Sequence, residues 1–212
     1  MPSKIYLDSQ YNWREIRNES FSLYGSGDES CLLTIFDKIK SINIQDHFRL
    51  DDIISHQTGH FAGIVDTDHF ICAFVDAVRS YPVFYCVIDG ELQVSNSARM
   101  LKTESGINEV DQTSLLEFCM AGYVTGGETI YKGLYQLQAG ELLFWEKQEK
   151  KLELERYFTY HSASGVQSSE SDYIEQLRVV VDRVFRRVIE AANGAPIWVP
   201  LSGGLDSRLI VC

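Results

Sequence analysis

The sequence lacks any apolar run long enough to cross a bilayer, and charged and polar residues recur throughout Met1 to Tyr24. A transmembrane helix needs about 20 consecutive apolar residues, and a secretory signal needs an apolar stretch behind a basic start. Because both patterns are missing, the sequence predicts a soluble, cytoplasmic protein that does not use a membrane as a partner.

Cysteine is scarce, with five in 212 residues, and no two of them have CxxC spacing. An odd number without paired spacing argues against both a zinc site and a disulfide framework. Cysteine in an apolar run behaves as a small hydrophobe, and free thiols suit a reducing cytoplasm. The histidines show no metal-ligand spacing either; they are His47, His56, His60, His69 and His161.

Positive charge is also in short supply. The chain has 19 Lys and Arg against 30 Asp and Glu, which gives a net charge of −11. This balance excludes a general nucleic-acid binder, which needs a basic face to neutralise phosphates. It does not exclude a phosphate ligand, because a local group of backbone N–H donors can hold an anion inside an acidic protein.

What the chain does contain is an ordinary globular composition, 45% hydrophobic and 12% aromatic. Short apolar runs separated by turn residues predict strands in its middle part. Asp89-Gly90 suits a two-residue hairpin, whose central positions need positive φ. The predicted strands are Phe61 to Val65, Phe70 to Val75, Val83 to Ile88 and Glu91 to Ser95.

The flanks of this region are less regular. Gly25 to Asp28 gives a turn signal, and residues 31–44 fit a strand or a helix equally well. Ser114 and Glu117 have capping-box spacing and predict a helix that continues to about Ala121. A second hairpin is predicted from Leu134 to Leu137 and Glu141 to Trp145, around a turn at Ala139-Gly140.

A polar stretch after Thr159 predicts a domain boundary, with a first domain over 1–158, a linker over 159–171 and a second domain over 172–212. Apolar residues from Tyr173 to Ile189 recur with helical period. Ser171 or Asp172 can cap this helix, and Asn193-Gly194 can end it. Ile197 to Leu201 then predicts a strand, although Pro200 would remove a backbone donor from it.

The most specific signal is the loop Ser202-Gly203-Gly204-Leu205-Asp206-Ser207, which stands between an apolar run and a helix start. Glycines let backbone N–H groups approach a phosphate closely, and a helix N-terminus favours anions. The two serine hydroxyls can donate to pyrophosphate oxygens, and Asp206 can bind Mg²⁺. The alternative is a plain strand-to-helix turn with Asp206 or Ser207 as N-cap.

The loop resembles the ATP-pyrophosphatase loop of the asparagine synthetase family, although argininosuccinate and GMP synthetases have similar loops. Segments upstream of the loop favour the asparagine synthetase family over the other two. Gly59-His60-Phe61-Ala62 and the stretch Asp76 to Tyr85 resemble the family pattern GxFA…DxxGxxPLYY. Gly122 to Gly126, Thr129 to Gly133, Leu137 and Ala139-Gly140 resemble its GYVPG…TIFKGIxxLxPG, and Arg156-Tyr157-Phe158 stands near its closing Tyr-Trp.

This resemblance implies an α+β fold. Residues 1–158 would form an N-terminal-nucleophile-like αββα sandwich of antiparallel sheets with a glutaminase-like origin. Residues 172–212 would begin an α/β synthetase domain of the adenine-nucleotide α-hydrolase type. The implied cofactors are ATP and Mg²⁺, with Asp206 as the metal-binding residue. The nucleotide-binding residues would be Leu201, Ser202, Gly203, Gly204, Leu205, Asp206 and Ser207.

The implied reaction is formation of an amide bond after ATP adenylates a carboxylate and releases pyrophosphate. The partners would be a nucleotide and small carboxylate and amine substrates, with a homodimer as an open option for assembly. The alternative function, from a different class, is a non-catalytic scaffold or interaction module in which the nucleotide loop is vestigial.

One departure from the family pattern concerns the glutaminase. The family nucleophile is a cysteine exposed by removal of the initiator methionine, whereas position 2 here is Pro2, which has no thiol. No catalytic residue can therefore be named, and glutaminase activity is expected to be lost. Two other routes are open: Cys31 could become N-terminal after propeptide cleavage, or Pro2 could serve as an amine base. A buried structural role for Cys31 is the simpler expectation.

Overall fold

The computed structural model describes residues 3–41, 50–162 and 169–211. Within it the chain forms two compact units, Met1–Tyr160 and His161–Cys212. Several predictions lie outside the described residues: those for Pro2, His47 and Cys212, and that for the middle of the linker, 163–168.

The first unit contains ten strands and four helices in its described part. The strands are β1 Lys4–Tyr6, β2 Arg14–Arg17, β3 Phe21–Gly27, β4 Phe61–Thr67, β5 Phe70–Val75, β6 Phe84–Ile88, β7 Glu91–Ser95, β8 Tyr135–Gln136, β9 Glu141–Glu146 and β10 Lys151–Arg156. The helices are α1 Glu29–Ser41, α2 Leu50–Ser55, α3 Ala98–Ser105 and α4 Gln112–Ala121, and Ser9–Tyr11 forms a 3₁₀ turn.

The strands form two sheets. The six-stranded sheet has the order β10-β9-β5-β4-β3-β2, and all its neighbouring strands are antiparallel. The four-stranded sheet has the order β1-β7-β6-β8, and its one parallel pair joins β1 to β7. The predicted hairpin of β6 and β7 is confirmed, with positive φ at both Asp89 and Gly90.

Three apolar cores separate four layers. The first core lies between α1, α2 and the six-stranded sheet, the second between the two sheets, and the third between the four-stranded sheet and α3. Alternate residues of β5 enter different cores because successive side chains of a strand point to opposite faces. Phe70, Cys72 and Phe74 belong to the first core, and Ile71, Ala73 and Val75 belong to the second. The predicted αββα sandwich is confirmed.

The turn predicted at Gly25 to Asp28 is wrong, because Gly25 and Gly27 belong to β3, a central strand of the six-stranded sheet. A Cβ at Gly25 would lie 2.8 Å from the Leu32 Cδ2 atom of α1. Glycine is therefore needed here to let a helix pack on the strand, and its presence does not signal a turn.

The hairpin predicted around Ala139-Gly140 is also wrong. β8 pairs with β6 in the four-stranded sheet, whereas β9 pairs with β5 and β10 in the other sheet. Gly140 has a φ of +65°, and a Cβ on it would lie 2.6 Å from the Phe158 carbonyl oxygen. The glycine thus marks the place where the chain crosses from one sheet to the other.

Two helices are capped at their N-termini by residues other than those predicted from the sequence. Asp111, rather than Ser114, caps α4 by accepting the Ser114 N–H at 2.8 Å. In the second unit the long helix α5, Glu170–Ala192, is capped by Ser169, whose side chain accepts the Asp172 N–H. Asn193 ends α5 in a left-handed conformation, as predicted.

The rest of the described second unit consists of a segment without regular secondary structure and a short helix, α6 Leu205–Val211. The strand predicted from Ile197 to Leu201 is wrong, because this segment pairs with no strand in the residues that the structure describes. A strand exists only through hydrogen bonds to a neighbour. Within the described ranges, no helix is both long enough and apolar enough to span a membrane.

Candidate functional site

Two serine side chains brace the loop that precedes α6. The Ser207 hydroxyl accepts the Ser202 N–H at 3.0 Å and lies 3.0 Å from the Ser202 hydroxyl. The Ser202 hydroxyl in turn accepts the Gly204 N–H at 3.2 Å. These hydrogen bonds hold residues 202–207 in a closed loop in which the two hydroxyls are adjacent. The two serines that the sequence predicts to act together are therefore in contact.

The two glycines of this loop are not required by its own packing. A Cβ at Gly203 would meet nothing within 4 Å, and one at Gly204 would meet only the Ser202 hydroxyl at 3.4 Å. Neither glycine has a left-handed φ. Glycine at these positions leaves no side chain beside the backbone, which suits close approach by a ligand, although the Gly204 N–H is already bonded to the Ser202 hydroxyl.

The simpler alternative, a turn with Asp206 or Ser207 as N-cap, does not match the geometry. α6 begins at Leu205, so both residues lie inside its first turn. Asp206 is exposed in this first turn, the part of a helix whose backbone N–H groups have no partner within the helix. Leu201 and Leu205 flank the loop and are also exposed, 65% and 80%. Of the predicted binding residues, Ser207 is half-buried and the other six are exposed.

In the first unit, the other side chains that could take part in catalysis or metal binding have partners that suit a structural role. The His60 ring lies on the surface, with its Nδ1 atom 2.6 Å from the Ser80 hydroxyl. His56 lies 3.3 Å from Asp52 one turn earlier in the chain. Among the described residues, no three His, Cys, Asp or Glu side chains group as metal ligands would.

Asp76 has a role that the sequence analysis missed. Its carboxylate is 1% exposed and accepts three backbone N–H groups, those of Phe61, Val78 and Ser80, at 2.8–3.1 Å. It therefore ties the start of β4 to the segment that follows β5. Only the folded structure shows this, because an Asp that follows an apolar strand has no sequence feature that distinguishes a buried acceptor from a turn residue.

Of the four cysteines that the structure describes, three are buried and Cys119 is exposed. Burial, followed by the charges of Asp28 and Asp76, raises the pKa of Cys31 to about 11. Burial also raises the pKa of Cys72 to about 12 and that of Cys86 to about 11. Since the thiolate is the reactive form, these three side chains are protonated and inert at neutral pH.

The location of Cys31 argues against a nucleophile released by cleavage. Cys31 lies in the first turn of α1 and is 6% exposed in the core between α1 and the six-stranded sheet. Cleavage before it would remove β1, β2 and β3. β3 pairs with β4 along its whole length, so the cut would take a central strand out of the sheet.

Comparison with known proteins places this geometry in context. No protein-family profile matches the chain. Over 98% of its length the chain is 21% identical to asparagine synthetase [glutamine-hydrolyzing] 1 of Bacillus subtilis (strain 168), of which it covers 32%. The chain is thus distantly similar to a glutamine-hydrolysing asparagine synthetase and spans about a third of that protein's length.

Two solved structures share a limited likeness with the fold. One is glutamine phosphoribosylpyrophosphate amidotransferase from B. subtilis complexed with ADP and GMP, with a TM-score of 0.39 and 12% identity over 71% of this chain and 32% of that one. The other is described as the allosteric regulatory enzyme of purine biosynthesis, with a TM-score of 0.41 and 12% identity over 71% and 31% of the two chains.

Proposed function

We propose that this chain is the front part of an ATP-dependent ligase of the asparagine-synthetase type, which adenylates a carboxylate, releases pyrophosphate and forms an amide bond. The observation that carries the proposal is the closed loop 202–207, in which Ser202 and Ser207 lie together and no side chain crowds the backbone at Gly203. The sequence similarity to asparagine synthetase supports the same reaction class.

In the proposed reaction the loop residues hold the departing pyrophosphate. The Ser202 and Ser207 hydroxyls donate to its oxygens, and the N–H groups of Gly203 and Leu205 add backbone donors. Donors fixed before the reaction stabilise charge that develops in the transition state without reorganising. Asp206 would hold Mg²⁺, which supplies positive charge to the phosphate oxygens. The groups that bind the carboxylate substrate would lie beyond Cys212.

We further propose that the first unit is a glutamine amidotransferase-like domain that no longer hydrolyses glutamine. Pro2 supplies no thiol, and Cys31, Cys72 and Cys86 are buried with raised pKa values. The amine that attacks the acyl adenylate would then be free ammonia or an amine of the substrate itself.

The test is pyrophosphate release by the full-length protein with ATP, Mg²⁺ and a panel of carboxylic acids, each with ammonia or glutamine as nitrogen source. Pyrophosphate release over many turnovers is expected with ammonia and not with glutamine, because the acyl adenylate must pass to an amine before the enzyme can react again. Asp206→Ala and Ser202→Ala should lower the rate by at least about tenfold, as expected when one charge-assisted contact is lost. Asp182→Ala removes an exposed carboxylate of α5 and is the matched control.

The scaffold alternative predicts the opposite outcome. If no acid supports pyrophosphate release, and if ATP binding is absent or is the same in the wild type and Asp206→Ala, the loop does not bind nucleotide and the ligase proposal is wrong. Amide formation with glutamine as the only nitrogen source would overturn the proposed loss of glutaminase.

A further inference from the structure

Arg79 adopts a backbone conformation that arginine normally avoids. Its φ is +57°, in the left-handed region, where the Cβ of an L-residue crowds the following carbonyl oxygen. In the pattern DxxGxxPLYY, quoted above for Asp76 to Tyr85, this position is a glycine. The chain therefore carries a long cationic side chain where its backbone favours a residue without one. Such an outlier is a reason to look for a function of the side chain.

The guanidinium of Arg79 is held in place without a negative partner. Its Nη2 atom donates to the Gln136 Oε1 atom at 2.6 Å, and its Cζ atom lies 6.0 Å from the centre of the Phe84 ring. Gln136 is itself fixed, because its side-chain NH₂ donates to the carbonyls of Gly126 and Glu128. The orientation of Arg79 is therefore set by neutral neighbours.

Among the described residues, Arg79 has no negatively charged partner. No carboxylate forms an ion pair with it within the ranges that the structure describes, and its buried Nε atom has no hydrogen-bond partner. Burial lowers the pKa of Arg79, which reflects the cost of removing a guanidinium from water. A charge that is partly desolvated and unpaired is unfavourable, and an anion on its open side would offset that cost.

Arg79 lines a cavity of about 560 Å³, which is within the usual size range of small-molecule sites. Its lining includes the apolar side chains of Phe84, Phe118 and Ile130. Tyr123 and Thr125 also line it. The cavity thus combines one cationic group with an apolar surface on which a hydrocarbon or aromatic body can pack.

We propose that this cavity binds a small monocarboxylate with an apolar body, whose carboxylate pairs with Arg79 and whose body packs on Phe84 and Phe118. A single negative charge is favoured over a phosphate because Glu128 also lines the cavity and would repel a dianion. The site lies entirely within the first unit, uses none of the residues of the loop 202–207, and does not depend on the proposed ligase reaction.

The probe pair is benzoate and benzamide, which share a ring and differ in charge. Each is titrated up to about 20 mM, a range that covers millimolar dissociation constants, into the ¹⁵N-labelled full-length protein. Backbone amide shifts of Thr125, Gly126 and Ile130 are followed by NMR. Benzoate should give saturable shifts at these residues, and benzamide should bind at least about tenfold more weakly because it lacks the charge.

Arg79→Gly is the decisive variant, since glycine suits a φ of +57° and the fold is expected to persist. It should weaken benzoate binding at least about tenfold. Arg99→Ala removes the same charge from α3 beside the cavity-lining Ala98 and should leave binding unchanged. Equal binding of benzoate and benzamide, unchanged binding by Arg79→Gly, stronger binding of inorganic phosphate than of benzoate, or no saturable shift would each overturn the proposal.

Discussion

Gly25 and Gly63 stand directly opposite each other in the pairing of β3 with β4. Their missing side chains make room on the face that the first core covers. A Cβ on Gly25 would run into Leu32 of α1, and one on Gly63 would lie 2.5 Å from the Cζ atom of Phe74. This glycine pair therefore allows a helix and an aromatic ring to pack closely on two central strands.

The Gly63→Ala substitution should destabilise the first unit by about 1–3 kcal/mol, because the fully buried Phe74 ring must move to admit a methyl group. Urea unfolding followed by circular dichroism measures the change. Gly203→Ala is the contrasting substitution, since its Cβ meets nothing within 4 Å, and it should alter the free energy of unfolding by less than about 0.5 kcal/mol. Equal effects of the two substitutions would contradict the packing argument.

Asp76→Ala should cost about 3 kcal/mol or more, because it leaves three backbone N–H groups without an acceptor in a buried position. Asp76→Asn keeps one side-chain oxygen and should cost less. Unfolding by urea compares both with Glu104→Ala, an exposed carboxylate of α3 whose removal should leave stability unchanged. If Asp76→Ala were as stable as wild type, Asp76 could not be a structural acceptor.

Stability should fall above pH 9 because of Cys72. Burial, then Asp51 and Glu155, raises its pKa from 9.0 to about 12 in the folded chain. Between these values the unfolded chain loses a proton that the folded chain keeps, so the free energy of unfolding decreases by about 1.4 kcal/mol per pH unit for this thiol. Below pH 9 both states are protonated and the effect disappears.

Urea unfolding at pH 8, 9.5 and 11 tests this dependence. Cys72→Ala removes the thiol and should show a shallower decline between pH 9.5 and pH 11, even if its stability at pH 8 is lower. Parallel pH profiles for the wild type and the variant would show that Cys72 does not titrate as described. Cys119→Ala, which removes an exposed thiol, is the control and should follow the wild type.

Two substitutions of Arg79 separate its backbone strain from its contacts. Arg79→Ala loses the contacts and keeps the left-handed strain, whereas Arg79→Gly loses the contacts and relieves the strain. Arg79→Gly should therefore be more stable than Arg79→Ala by about 1 kcal/mol. Thermal unfolding of the two variants measures this difference directly. If alanine were as stable as glycine, the backbone at this position would not be strained.

The local features of the fold could be predicted from the sequence, and the pairing of distant segments could not. The strands from Phe61 to Ser95 follow from apolar runs and turn residues that are adjacent in the chain. β3 was missed because Gly25 and Gly27 resemble turn residues until Leu32 is known to lie above them. β8 and β9 were wrongly joined because a turn signal does not show whether the chain stays in one sheet.

The candidate site likewise has some features that the sequence predicts and others that only the fold shows. The composition of the loop 202–207 predicted its possible ligand chemistry, and the spacing of its two serines could not show that their hydroxyls meet. The cavity at Arg79 had no sequence signal of its own. It depends on a positive φ at Arg79 and on three chain segments that come together only in the folded unit, those around Phe84, Phe118 and Gln136.

β1 is an edge strand that pairs in parallel with β7, so that Lys4 stands opposite Gln93. β1 therefore has no partner until almost ninety further residues have been synthesised. At about 5–20 residues per second this delay is on the order of ten seconds. The four-stranded sheet is complete only after more than half of the unit has been synthesised.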